Sequence, residues 1–225
     1  MGADRRALIA EFIGTFGLIF MGAGAIIMDS HIGGRVGIVG IALAHGLAIF
    51  LGVSFSAHIS GGHLNPAVTA GFVVTRRMAP TAGLAYMAAQ LLGGIVAAIA
   101  LRVLTPSVAA GRTGLGTPVP GQGVDALQAV VIEFILTFFL VFVIFGTAVD
   151  PRGPKAIFPL CIGMTITMDI LAGGPLTGAS MNPARSFGPA LLSNIWINHW
   201  VYWLGPILGG AFAALLYDTQ LMEKK

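Results

Sequence analysis

The chain carries the same short phrase twice. Gly62-His63-Leu64-Asn65-Pro66-Ala67-Val68-Thr69 returns as Ser180-Met181-Asn182-Pro183-Ala184-Arg185-Ser186. In each copy an Asn at a helix N-cap precedes Pro at the first helical position, where the missing N–H is no loss. Roughly ten helix-compatible residues follow, to about Thr75 and about Leu192. That length is about 15 Å, half of the ~30 Å hydrocarbon core of a bilayer. A single such cap is common in soluble proteins. Two half-length capped helices in an apolar chain predict broken segments that meet at the membrane midplane.

Composition agrees. The 225 residues are 56% hydrophobic and 9% charged, with mean hydropathy +0.89, whereas soluble domains carry about 25% charge. The 32 glycines suit close helix packing in lipid. A single cysteine, Cys161, leaves no internal disulfide and no Cys-based metal cluster. The five histidines lack ligand spacing, so neither metal nor cofactor is expected. The net charge of +3 does not point to nucleic acid, because the basic residues are spread as topology markers. No cleavable signal is visible, since the first apolar run after Arg5-Arg6 is long enough to span.

Six spans are expected at about 6–28, 36–57, 80–104, 126–148, 156–172 and 199–217, with a half-helix after the second and after the fifth. A Gly/Pro-rich connector without regular periodicity, 105–125, divides a single membrane domain, 1–225, into repeat one (1–104) and repeat two (126–225). Ala10-Glu11-Phe12-Ile13-Gly14-Thr15-Phe16 matches Ile132-Glu133-Phe134-Ile135-Leu136-Thr137-Phe138, and Leu91-Leu92-Gly93-Gly94 matches Ile207-Leu208-Gly209-Gly210. Offsets of 122 at the Glu, 117 at the Asn and 116 at the Gly pair differ only through loop length. Three full spans per repeat is an odd number, so the second copy must enter the membrane inverted. Loop charges orient the whole. Arg5, Arg6, Arg76, Arg77, Arg152, Lys155, Lys224 and Lys225 fall on one side, and Arg35, Arg102 and Arg112 on the other. The positive-inside rule then places both termini in the cytoplasm.

Two opposed helix N-termini each present about half a positive charge and unpaired N–H groups. Facing one another at mid-membrane, they make a place hostile to cations and protons. The Asn65 and Asn182 amides would offer N–H donors to anything between them. A water there would turn its oxygen to both and could not accept from its neighbour, which breaks a water wire. The bland alternative is two capped re-entrant helices serving as scaffold. Arg185, one turn into the second half-helix with no acid near it in sequence, is a functional candidate because a charge in lipid costs several kcal/mol. The alternative is an Arg snorkelling to the outer interface.

The paired Asn-Pro-Ala boxes, the Glu-bearing first and fourth spans, and the runs Ser60-Gly-Gly-His-Leu-Asn-Pro-Ala-Val-Thr69 and Asn182-Pro-Ala-Arg-Ser-Phe-Gly-Pro-Ala190 resemble the aquaporin (major intrinsic protein) family over essentially the whole chain. The resemblance implies an all-α membrane fold of six transmembrane helices and two re-entrant half-helices in two inverted three-helix repeats. It also implies a homotetramer in the lipid bilayer, each protomer with its own pore for water and small neutral solutes. The pore centre would be Asn65, Pro66, Ala67, Asn182, Pro183 and Ala184, and the outer selectivity filter His45, Ile170, Ala179 and Arg185. His63 would line the inner mouth. Ser186, Ala190, Tyr202 and Trp203 follow the water-type rather than the glycerol-type pattern. The filter set is similar to the plant vacuolar and animal ammonia- and peroxide-conducting branches, which implies a water channel that also passes ammonia. Some plant members add a histidine from the connector, and residues 105–125 contain none.

Glu11 and Glu133 are read as structural acceptors for the backbone N–H groups of the re-entrant loops, since a proton relay would defeat a proton-tight channel. His58 and His199 are read as interfacial or packing residues. Asp169 faces either a polar partner or the outer vestibule. Two other classes compete: an intramembrane serine hydrolase using Ser180 with a histidine such as His199, and a secondary transporter, against which the absence of an acidic coupling site at the Asn pair argues. Strict water conduction and a broader glycerol/urea facilitator are the nearer alternatives. The expected location is the plasma membrane.

Overall fold

The computed structural model describes residues 4–223, so Lys224 and Lys225, expected on the cytoplasmic side, lie outside the described residues. Among the described residues nine α-helices follow in order: α1 Arg5–His31, α2 Gly37–Ser60, α3 Pro66–Val74, α4 Pro80–Leu104, α5 Ser107–Arg112, α6 Ala126–Ile144, α7 Phe158–Thr177, α8 Pro183–Ser193 and α9 Val201–Leu216. Six of these, with α6 and α9 prolonged by wide π-type turns to Val149 and Leu221, are long and apolar enough to cross a membrane. The half-helices α3 and α8 have 9 and 11 residues. α1, at 27 residues, is about 40 Å long and must tilt or protrude.

Local chemistry sets the ends. Asp4 caps α1 by accepting from Arg6 N at 3.1 Å. Asp29, just past the expected end of the first span, sits in the last turn of α1, and its Oδ1 takes the N–H groups of Val36 and Gly37 at 2.9 and 2.8 Å. One carboxylate thereby satisfies two orphan donors at the start of α2. Asp125 and Gln128 close a reciprocal capping box on α6.

Two expectations are corrected. The fifth span does not stop near 172 but runs to Thr177 with Pro175 inside it. Gly173-Gly174-Pro175 reads as a terminator, yet the helix ends only at Gly178, whose left-handed φ of 82° ends the helix while its N–H bonds Gly174 O. The connector 105–125 is also not wholly irregular. It holds α5 and a 3₁₀ turn, Gly114–Gly116, because Ala109, Ala110 and Leu115 bury themselves against Ile19, Ala23, Ile27 and Leu101.

The packing displays the repeat. α1 lies against α2 and α4, as α6 lies against α7 and α9, and α2 packs on α7 across the halves. Each half-helix rests on the last span of the other repeat, α3 on α9 and α8 on α4. The duplicated Gly pairs permit this. A Cβ on Gly93 would stand 2.5 Å from Phe12 O, and one on Gly94 2.7 Å from Ala184 O. A Cβ on Gly210 would stand 2.9 Å from Ala67 O. Backbone meets backbone there, as in tight lipid-phase helix packing. Glu11, Gln90, Glu133 and Arg185 are buried, whereas Leu43, Leu47, Leu51 and Phe55 form an exposed ridge on α2. That inverts the soluble pattern, as a lipid solvent requires.

The turn after α6 is tied to the end of α9. Arg152 donates to Asp150 (2.6 Å) and to Leu221 O (2.7 Å), and Tyr217 donates to Asp150 at 3.2 Å. The Arg152 guanidinium holds the Asp150 carboxyl well below the usual carboxylate range. Arg77 pairs with Asp218 at 2.6 Å. The Arg77–Asp218 pair, partly exposed, contributes little, whereas the buried Asp150 ties the turn after α6 to the end of α9.

Candidate functional site

Two loops reach the centre of the molecule, and a buried carboxylate holds each. Glu11 Oε1 accepts from Ser60 Oγ (2.7 Å) and His63 N (2.9 Å). Its Oε2 accepts from Leu64 N (2.6 Å) and Gln90 Nε2 (2.7 Å). Glu133 repeats the pattern: Oε1 accepts from Thr177 Oγ1 and Ser180 N at 2.7 and 2.9 Å, and Oε2 from Met181 N at 2.7 Å. These bonds secure a strained backbone. Leu64 and Met181 have φ of 51° and 53°, a left-handed region that costs a bulky residue on the order of 1–3 kcal/mol.

The next residue in each loop is the capping Asn. Asn65 Oδ1 accepts from Ala67 N at 2.8 Å, and Asn182 Oδ1 from Ala184 N at 2.9 Å. With the oxygens so fixed, the amide nitrogens turn across the molecule: Asn65 Nδ2 donates to Met181 O at 2.8 Å and Asn182 Nδ2 to Leu64 O at 2.9 Å. Each amide therefore commits one N–H to the opposite loop and keeps one. Sequence reasoning foresaw the donors but not this reciprocal lock. Pro66 and Pro183 open the two half-helices, and the buried Ala67 and Ala184 let them approach the Gly pairs.

A narrow cavity of about 20 Å³, room for little more than a water molecule at a time, runs past both Asn side chains. His45, Ile170, Ala179 and Arg185 line it towards one end, and His63, Val68, Ile144 and Ile162 towards the other. Leu18, Ile49, Val53, Leu140 and Ile166 give the middle an apolar wall. The two loops supply the polar side. Residues dispersed over six helices and two loops thus share one lumen.

At the first end, His45 Nδ1 lies 2.9 Å from Ile41 O. A carbonyl can only accept, so Nδ1 carries the proton and Nε2 keeps its lone pair in the neutral ring. Among the described residues Nε2 has no hydrogen-bond partner. Arg185 is 2% exposed. It donates from one terminal nitrogen to Gly116 O at 2.7 Å, while its Nε has no partner among the described residues. Among the described residues no carboxylate lies within ion-pair distance of it. Arg185 therefore does not snorkel. The connector, which has no histidine to offer, contributes a backbone carbonyl instead, and no composition signal marks that.

The remaining candidates separate. His63 lies 3.1 Å by Nδ1 from Thr69 Oγ1, and its ring centre is 4.3 Å from that of Phe72, the planes tilted by 31°. His58 is exposed, and His199 accepts from Trp203 Nε1 at 3.1 Å. Ser180 Oγ donates to Asn182 O at 2.9 Å, so the serine–histidine pair of the hydrolase reading does not form. Asp169 is buried and does not line the lumen, and its Oδ2 has no hydrogen-bond partner among the described residues.

The family model described as Major intrinsic protein matches residues 3–217. The chain belongs to the major intrinsic protein family. It is 44% identical over 225 residues to Aquaporin TIP4-4 of Zea mays, covering 97% of this chain and 88% of that one. It is 45% identical to Probable aquaporin TIP3-2 of Arabidopsis thaliana, covering 96% and 84%. In structure it is similar to the aquaglyceroporin from Plasmodium falciparum, at 28% identity, TM-score 0.79 and 96% coverage of both chains. As a member of this family the chain is a multi-pass integral membrane channel and not an enzyme.

Proposed function

We propose that the lumen conducts water in single file, rejects protons and ions, and also passes ammonia and hydrogen peroxide. The observation that carries this reading is the reciprocal Asn lock. Asn65 and Asn182 each have one N–H tied across the molecule and one left over, at the N-termini of two opposed helices. A water between them accepts from both and donates only outward, towards either mouth. Protons then have no continuous chain of acceptors, and the two helix ends add positive potential.

Selectivity falls to His45, Ile170, Ala179 and Arg185. Ile170 and Ala179 give an aliphatic, roomy wall, so a solute needs fewer hydrogen bonds to enter. His45 offers an acceptor at Nε2 and Arg185 a cationic donor. Ammonia and peroxide are close to water in size and can use both. Glycerol wants an apolar aromatic corner for its carbons, and none of the four residues is aromatic except the imidazole. The double change His45→Phe with Ile170→His tests this on vesicles assayed for both solutes. Ammonia permeability should fall much more than water permeability. Parallel changes, or no wild-type ammonia flux above protein-free liposomes, would leave a plain water channel.

Both termini are taken to face the cytoplasm, on the loop charges, and tags reporting opposite faces would contradict it. The homotetramer is likewise a reading, supported by membership of the family. A monomeric mass in mild detergent would oppose it. The plasma-membrane expectation is narrowed to an integral membrane protein, because the relatives named are TIP-type aquaporins.

A further inference from the structure

We propose that Gly22, on α1, is a positioning residue for the lumen: it sets how far the His45 ring is withdrawn from the path, and so which solutes pass. The inference rests on the channel reading above. α1 packs along α2, and His45 belongs both to that interface and to the lumen wall. A Cβ built on Gly22 would stand 2.5 Å from His45 Nε2 and 2.7 Å from Cγ. Cδ2, which is bonded to both of these atoms, is also in contact; an approach in the ring plane would leave Nε2 and Cγ well beyond Cδ2, so their near-equal closeness places Gly22 against the face of the ring over its Cδ2 side. The imidazole occupies the volume that any other residue at 22 would fill.

Two constraints then fix the ring. The Nδ1–H bond to Ile41 O, at 2.9 Å, sets its rotation, and the missing Cβ sets its depth. The other α1 glycines do not share this role. Gly17 has nothing within 4 Å, Gly24 meets only the flexible end of Leu101 at 3.3 Å, and Gly14 faces Leu64, which is not a lumen residue. A methyl group at 22 must lift the ring towards the lumen or break its bond to Ile41. The first narrows the opening, and the second turns the Nε2 acceptor away.

The test is a four-protein cycle: wild type, Gly22→Ala, His45→Ala and the double variant, each reconstituted for water and ammonia flux and each melted. Gly22→Ala alone should lower water flux about tenfold, the scale that overpacking strain implies. In the His45→Ala background the same change should matter less than about twofold, because the two sites are coupled only through the ring. If Gly22→Ala fails to fold, the double variant should regain folded yield and flux. Equal losses in both backgrounds, a double variant as unstable as Gly22→Ala, or unchanged flux in Gly22→Ala would each overturn the assignment. Wild-type vesicles no leakier to water than protein-free ones would defeat the channel reading instead, and the melting temperatures would still report the Gly22–His45 coupling.

Discussion

Replacing Glu133 by Leu should abolish the folded channel, whereas Glu133→Gln should leave it folded but less heat-stable. The carboxylate accepts from Thr177 Oγ1, Ser180 N and Met181 N in a region closed to water. Each orphaned buried donor costs about 1–3 kcal/mol, so Leu forfeits roughly 3–9 kcal/mol, comparable with the ~5–15 kcal/mol that holds a typical protein together. Gln keeps one acceptor oxygen but presents an NH₂ group where the second acceptor stood, so about one donor is lost. Melting curves in detergent check the order wild type, Gln, Leu. Glu11, with four donors, should behave alike. Melting temperatures indifferent to both substitutions, together with a changed proton flux, would restore the relay reading that the bonding pattern disfavours.

The second large effect is expected at Arg185. Its guanidinium is buried, tied to Gly116 O, and free of any acid partner among the described residues. A cation about 4 Å away is opposed by about 4 kcal/mol at an effective dielectric of about 20. Arg185→Val removes that barrier and leaves the two helix N-termini, each with only about half a charge. Cation or proton leak should rise at least about tenfold, while water flux stays within about twofold, since the single-file lumen and the Asn lock persist. A pH-sensitive dye inside vesicles, read beside light scattering, separates the two. Arg185→Val vesicles as tight to protons and cations as wild type would assign the barrier wholly to the Asn pair.

Much of this site is legible because its cause is local. Asn before Pro announces a capped half-helix, and α3 and α8 start at Pro66 and Pro183 as expected. Glu11 and Glu133 stand out as acids in apolar spans, and the offset between repeats pairs them. Long-range contacts are where local signals give out. The Asn65–Met181 and Asn182–Leu64 bonds join residues more than a hundred positions apart. The Gly116 carbonyl that holds Arg185 is backbone, for which residue type carries no mark. At α7 local chemistry misleads outright. Gly173-Gly174-Pro175 looks like an ending, but packing on α6 and α2 carries the helix on to Thr177. Asp169 shows the opposite case, a conspicuous buried acid beside the lumen for which the fold supplies no partner.

The central claim is that one lumen carries water while breaking the proton path at Asn65 and Asn182. Purified protein in liposomes, preloaded with a pH dye, shocked with an impermeant solute and then given a pH step, measures both on the same vesicles. The expected result is rapid shrinkage, well above protein-free liposomes, with a pH gradient that decays no faster than in those liposomes. Proton leak rising in proportion to water flux as protein is added would contradict the account.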